Sequence, residues 1–253
     1  MGTIRDVFKD KKAYITFVTA GDGGLEKSLA MMNAYAERGV DIIEVGVPFT
    51  DPVADGPVLQ AAALRALEHD VSLDDALLLI KTFKQSHSTK VVLFTYLNPL
   101  LQHGPLDAFF KEASACGVDG CLVVDLPIEE AAVYHQACCD VDIDPIYLIA
   151  PSTPTERIKL IAKQGRGMLY YACRKGVTGM RDAFPEGFVE KIAEIKAITD
   201  LPLIVGFGIA NKTMANDVLT HADGFVVASL LVQTAHEKGD AAFKKLITDL
   251  DPR

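Results

Sequence analysis

The chain has 253 residues, 49% of them hydrophobic, so it is long and apolar enough to bury a sizeable core. Its formal charge is -9 and it holds no dense Lys/Arg run, which argues against nucleic acid or an anionic membrane surface as a partner. A phosphorylated small molecule is not excluded, because backbone N–H groups hold phosphate without basic side chains.

In chain order, the first twenty residues carry Arg5, Asp6, Lys9, Asp10, Lys11 and Lys12 and no uninterrupted apolar core, so no signal peptide is expected. No apolar run is long enough to span a bilayer. A strand is expected over 13–19, a helix over 25–38, a strand over 40–47 and a helix over 58–68. Another helix is expected over 73–83, opened by Ser72 with Asp75 three residues on, close to a capping box. Strands over 91–96, 120–126, 145–150, 168–173, 202–207 and 225–230 follow. Helices over 105–116, 129–138, 155–164, 188–198 and 212–221 separate them, Asn211 capping the last, and a helix over 241–250 comes at the end.

Strands apolar on both faces and alternating with helices fit a parallel sheet covered by helices. Eight such units predict a single (β/α)8 barrel over 1–253, with extra helices at the N-terminus and after the second strand. An open doubly wound sheet is the weaker alternative, since no strand reads as an edge. A faint repeat, Gly39-Val-Asp, Gly117-Val-Asp and Ala222-Asp-Gly, leads from helix to strand and suggests a packing device. The five cysteines, Cys116, Cys121, Cys138, Cys139 and Cys173, form no Cys-x-x-Cys pair and are expected to be buried thiols in a reducing cytoplasm. The six histidines show no ligand spacing, so no metal site is expected.

In such barrels the chemistry sits at the C-terminal ends of the strands. Glu44 lies between Ile43 and Val45, where a carboxylate is costly to bury unless paired or functional. Pointing inward, it would have a raised pKa suited to giving and taking protons; a solvated or salt-bridged Glu is the plain alternative. The loop 48–57 holds Asp55 just before Gly56-Pro57 and a helix, so capping competes with catalysis there. Small residues at three later strand ends, around Gly179, Gly206 to Gly208, and Ala228-Ser229, allow backbone N–H groups to close on an oxyanion; a tight turn is the alternative for each glycine alone. The segment 206–211 does not complete a Gly-x-Gly-x-x-Gly dinucleotide fingerprint. The charged, glycine-bearing stretch 174–184 reads as a lid or as an ordinary surface loop.

The stretch Glu44-Val-Gly-Val-Pro-Phe-Thr-Asp-Pro-Val-Ala-Asp-Gly-Pro closely resembles the signature of the tryptophan synthase α-subunit family. Phe17-Val-Thr-Ala-Gly-Asp, Tyr96-Leu-Asn-Pro, Asp125-Leu-Pro-Ile-Glu-Glu, Arg174-Lys-Gly-Val-Thr-Gly and Gly206-Phe-Gly-Ile extend the likeness over nearly the whole chain. The resemblance implies retro-aldol cleavage of indole-3-glycerol phosphate to indole and glyceraldehyde 3-phosphate. It implies Glu44 as the proton shuttle and Asp55 as the acceptor of the indole N–H. Tyr170 is implied near the substrate, Gly179, Gly208 and Ser229 in the phosphate cradle, and Phe17, Leu122, Thr178 and Phe207 as pocket walls or loop contacts. Ala228 stands where the family usually has Gly, which bears on phosphate binding. The resemblance further implies no cofactor in this chain, and a β-subunit partner that carries pyridoxal phosphate in an αββα heterotetramer. Rival readings are another sugar-phosphate barrel enzyme with a different rim constellation, a free-standing indole-releasing lyase, and a non-catalytic regulator of a β subunit.

Overall fold

The computed structural model describes residues 3–173, 184–206 and 208–253. Among them, eight parallel strands pair in sequence order and close on themselves: β1 (Ala13–Thr19), β2 (Ile42–Gly46), β3 (Lys90–Thr95), β4 (Gly120–Val123), β5 (Asp144–Ile149), β6 (Leu169–Ala172), β7 (Leu203–Gly206) and β8 (Gly224–Val227). The helices wrapped around them are α1 (Leu25–Glu37), α2 (Pro57–Leu67), α3 (Leu73–Lys84), α4 (Leu97–His103), α5 (Leu106–Cys116) and α6 (Ala132–Cys139), followed by α7 (Thr155–Gln164), α8 (Phe188–Ile198), α9 (Lys212–His221), α10 (Ser229–Glu237) and α11 (Gly239–Leu250). No helix among the described residues is long and apolar enough to cross a membrane.

Local chemistry explains the boundaries. Ser72 and Asp75 form a reciprocal capping box at the start of α3, and Asn211 accepts the Met214 N–H at 2.9 Å to open α9. Apart from β1, which ends at Thr19 as expected, the strands end earlier than the apolar runs, because the run continues into the rim loop after pairing has stopped. The sharpest correction is at the last strand: β8 stops at Val227, and Ser229 begins α10 rather than extending a strand to 230. Helix α4 is a further addition to the elements expected from the sequence; its Pro99 lies in the first turn, where no intrahelical N–H is lost. The extra element at the N-terminus is a short 3₁₀ helix, Ile4–Phe8.

Side-chain alternation divides the core in two. Ile42, Val92, Leu122, Ile146, Ile204 and Val226 fill the barrel interior, whereas Ile43, Val45, Leu93, Cys121 and Val205 pack outward against the helices. Ile4 is fully buried under the interior cluster, so the 3₁₀ helix closes the N-terminal end of the barrel. Its N–H donates to Asp144 at 3.2 Å.

The faint repeat has a structural meaning at the same end. Asp41, Asp119 and Asp223 each precede an even-numbered strand and accept an N–H from the strand before it: Tyr14, Val91 and Leu203, each at 2.9 Å. Each also faces cations: Lys11 and Arg253 for Asp41, Lys84 and Lys90 for Asp119, and Lys196 for Asp223. The expectation for the cysteines needs correcting too. Cys121, Cys138 and Cys173 are buried, but Cys116 and Cys139 are only half-buried, since each is the last residue of a surface helix.

Candidate active site

Glu44 is the third residue of β2, on the same face as Ile42, which belongs to the interior cluster. Its carboxyl therefore points into the barrel, near the C-terminal end of the strand. In register it lies between Phe17 on β1 and Val92 on β3. It is 1% exposed, and its Oε1 has no hydrogen-bond partner. Desolvation without compensation pushes its pKa up to about 8. The salt-bridged alternative fails, because no cation pairs with it among the described residues.

Asp55 does not cap α2. The N-cap is Gly56, with Pro57 opening the helix, and no side chain caps it. The Asp55 carboxylate instead accepts the Tyr96 hydroxyl at 3.2 Å, while that hydroxyl accepts the Ala54 N–H at 3.1 Å. Burial pushes Asp55 up to about 6, and the Tyr96 hydrogen bond pulls the other way. Tyr96 is itself held by the ring of Phe49, 5.2 Å away. The loop from β2 to α2 is thus pinned to the end of β3 through one phenol.

Tyr170 lies near enough to both acids to feel their charges. Burial holds its pKa well above the ordinary value, and the charges of both Glu44 and Asp55 act on it in the same direction. The three groups therefore converge at one mouth. Two glycines make the room: a Cβ on Gly46 would lie 2.3 Å from the Phe17 ring, and one on Gly206 would lie 2.3 Å from the Tyr170 hydroxyl. Phe17 packs edge-on against Phe94 at 5.4 Å and shares a small buried cluster with Leu59 of α2 and Val232 of α10. Leu122 lies deeper, within the interior cluster. An ion pair from Arg65 of α2 to Asp22, with contacts at 2.6 and 2.8 Å, ties α2 to the loop after β1.

At the end of β8, which pairs with β1, Ser229 is the first residue of α10 and Ala228 its N-cap. The first turn of a helix leaves N–H groups without intrahelical acceptors, which suits an anion. Ala228 has φ -111°, outside the left-handed region that favours glycine. Gly208 has φ 76°, a conformation that favours glycine. Thr178, Gly179 and Phe207, together with most of the stretch 174–184, lie outside the described residues.

Sequence pattern alone assigns no role to Tyr96, Phe94 or Phe49. The rule that locates Glu44 also points to Phe94 and Tyr96, since they stand at the C-terminal end of β3. Asp125, part of a family-like motif, is structural: it accepts the Leu97 N–H at 2.8 Å and anchors the start of α4.

The chain matches known proteins over nearly its whole length. A family model described as tryptophan synthase alpha chain matches residues 5–250. The tryptophan synthase alpha chain of Coxiella burnetii (strain CbuK_Q154) is 51% identical over 253 residues, covering 100% of this chain and 98% of the relative. That of Chlamydia felis (strain Fe/C-56) is 40% identical over 258 aligned residues, covering 100% of both. A chain of Mycobacterium tuberculosis tryptophan synthase superimposes with a TM-score of 0.92 at 34% identity, covering 99% of this chain and 97% of that one. A chain from the tryptophan synthase α2β2 complex of Pyrococcus furiosus gives a TM-score of 0.88 at 36% identity, covering 95% and 98%. This chain belongs to the tryptophan synthase alpha chain family.

Proposed function

We propose that this chain cleaves indole-3-glycerol phosphate to indole and glyceraldehyde 3-phosphate, with Glu44 as acid and then base and Asp55 as the electrostatic partner of the indole nitrogen. Indole leaves poorly as a carbanion at C3. Protonation at C3 by neutral Glu44 gives an indolenine cation. Asp55, ionised, stabilises the positive charge that develops at the ring N–H. The bond from C3 to the glycerol carbon then breaks, and its electron pair returns to the ring. Glu44, now charged, takes the proton of the adjacent glycerol hydroxyl as the aldehyde forms.

The observation that carries this reading is the difference between the two acids. Glu44, pushed up to about 8, is protonated at neutral pH, while Asp55, at about 6, is ionised. The Tyr96 hydroxyl supports the charged form of Asp55 and fixes the carboxylate. Tyr170, Phe17 and Leu122 are assigned to the walls around the indole. The first turn of α10 at Ala228-Ser229, with Gly208, is assigned to the phosphate. These steps need proton transfer and charge stabilisation only, which side chains supply. Pyridoxal phosphate is expected in a β subunit that receives the indole, in an αββα assembly, and the cytoplasm is the proposed setting.

The test is an indole-release assay with and without a tryptophan synthase β subunit. The reading expects slow release alone, strong acceleration by the partner, and none from Glu44→Gln or Asp55→Asn. Near-normal turnover in either variant removes that residue from the mechanism. Equal activity with and without the partner favours a free-standing lyase.

A further inference from the structure

A thiol, an imidazole and a guanidinium meet at the end of the barrel opposite the active site, where none of the chemistry above uses them. Cys139 closes α6, and His135 lies one turn earlier on the same helix face. The His135 Nε2 is 3.5 Å from the Cys139 sulfur, and the other ring nitrogen, Nδ1, is buried without a hydrogen-bond partner. Arg166, just before β6, lies beside the same sulfur, and its Nε is 3.6 Å from Asp144. Both Cys139 and His135 are half-buried, unlike the buried Cys121, Cys138 and Cys173.

We propose that Cys139 is a site of reversible covalent modification, exchanging its thiol with a small-molecule disulfide. In the exchange the thiol proton passes to His135 Nε2, and the sulfur attacks one sulfur of the disulfide. A new bond forms from Cys139 to that sulfur as the original S–S bond breaks. The departing thiolate takes up the proton and leaves as a free thiol, so atoms and electrons balance. Arg166 lies beside the Cys139 sulfur, on which negative charge forms during the transfer.

Cys116 is the internal control. It is also half-buried at a helix end, but burial pushes its thiol up, and Glu112 adds to the effect. Cys121, Cys138 and Cys173 are buried and shielded from reagents.

The experiment is a timed reaction of the native full-length chain with 4,4′-dithiodipyridine, with the modified cysteines mapped by mass spectrometry. The expected result is that Cys139 is modified first, about tenfold faster than Cys116. Cys139→Ser removes the fast phase, and His135→Gln slows it about fivefold while Cys116 is unaffected. Mapping of the fast phase to any other cysteine overturns the proposal, as does an unchanged Cys139 rate in His135→Gln. The mapping on the unsubstituted chain decides the matter even if a variant fails to fold.

Discussion

At the N-terminal end of the barrel, Asp41, Asp119 and Asp223 each accept a backbone N–H and each face at least one Lys or Arg. At the C-terminal end, Glu44 is 1% exposed with one oxygen unpartnered and no cation beside it among the described residues. Both ends take carboxyl groups out of water. Only the first supplies partners that compensate for the lost hydration. The second withholds them, and the fold holds a neutral acid ready to donate. Asp55 lies between these extremes, half-buried with a phenol as its partner. Asp41 and Glu44 are both buried, so what distinguishes that structural acid from the reactive one is pairing.

The largest expected effect tests the reactive end. Glu44→Gln and Asp55→Asn should each lower the rate of indole release by about a thousandfold or more, with the far-UV circular dichroism unchanged. Loss of the fold in Glu44→Gln would assign that acid to structure instead. At the scaffold end, Asp119→Asn leaves Lys84 and Lys90 without their carboxylate and should cost about 2 kcal/mol in urea unfolding. Indole release by the folded variant should stay within about twofold of the parent. An equal loss at both sites would erase the contrast between the two ends.

Smaller effects sharpen the comparison. The rate should rise as Asp55 ionises near pH 6 and fall as Glu44 loses its proton near pH 8. Tyr96→Phe removes the hydrogen bond that lowers the Asp55 pKa, so the acid limb should move to higher pH, with about a tenfold loss in kcat/KM. An unmoved limb would separate Asp55 from that limb. Stability carries the last signature. Glu44 binds its proton more tightly in the fold than in the unfolded chain, so its contribution is full below its ordinary pKa of 4.5 and is lost as pH rises through about 8. Glu44→Gln lacks that loss. It should gain about 1 kcal/mol or more relative to the parent between pH 6 and pH 9, read from denaturant midpoints.

Part of this architecture is legible in the sequence, and the rest is hidden for physical reasons. Helices α7, α8 and α9 are found at the expected residues, because their apolar spacing and flanking signals are local. Helix α10 is hidden because the apolar residues of β8 run on into Leu230 and Leu231, and periodicity cannot divide one short apolar run into a strand and a helix start. Glu44 can be read because an acid between Ile43 and Val45 conflicts with its surroundings in sequence alone. Asp55 cannot be separated from a helix cap by spacing; a hydrogen bond from Tyr96, 41 residues away, decides it. The space that Gly46 and Gly206 leave for Phe17 and Tyr170 depends on strand register across the barrel, which no local pattern reveals.

The most direct measurement is the titration of Glu44 itself, followed by the side-chain carboxyl carbon resonance in ¹³C-glutamate-labelled protein and assigned by its loss in Glu44→Gln. The account predicts one glutamate that changes state near pH 8, well above the ordinary value of 4.5. A Glu44 resonance that titrates in the ordinary carboxylate range would contradict it, since the acid would then be charged, and unable to donate, at neutral pH.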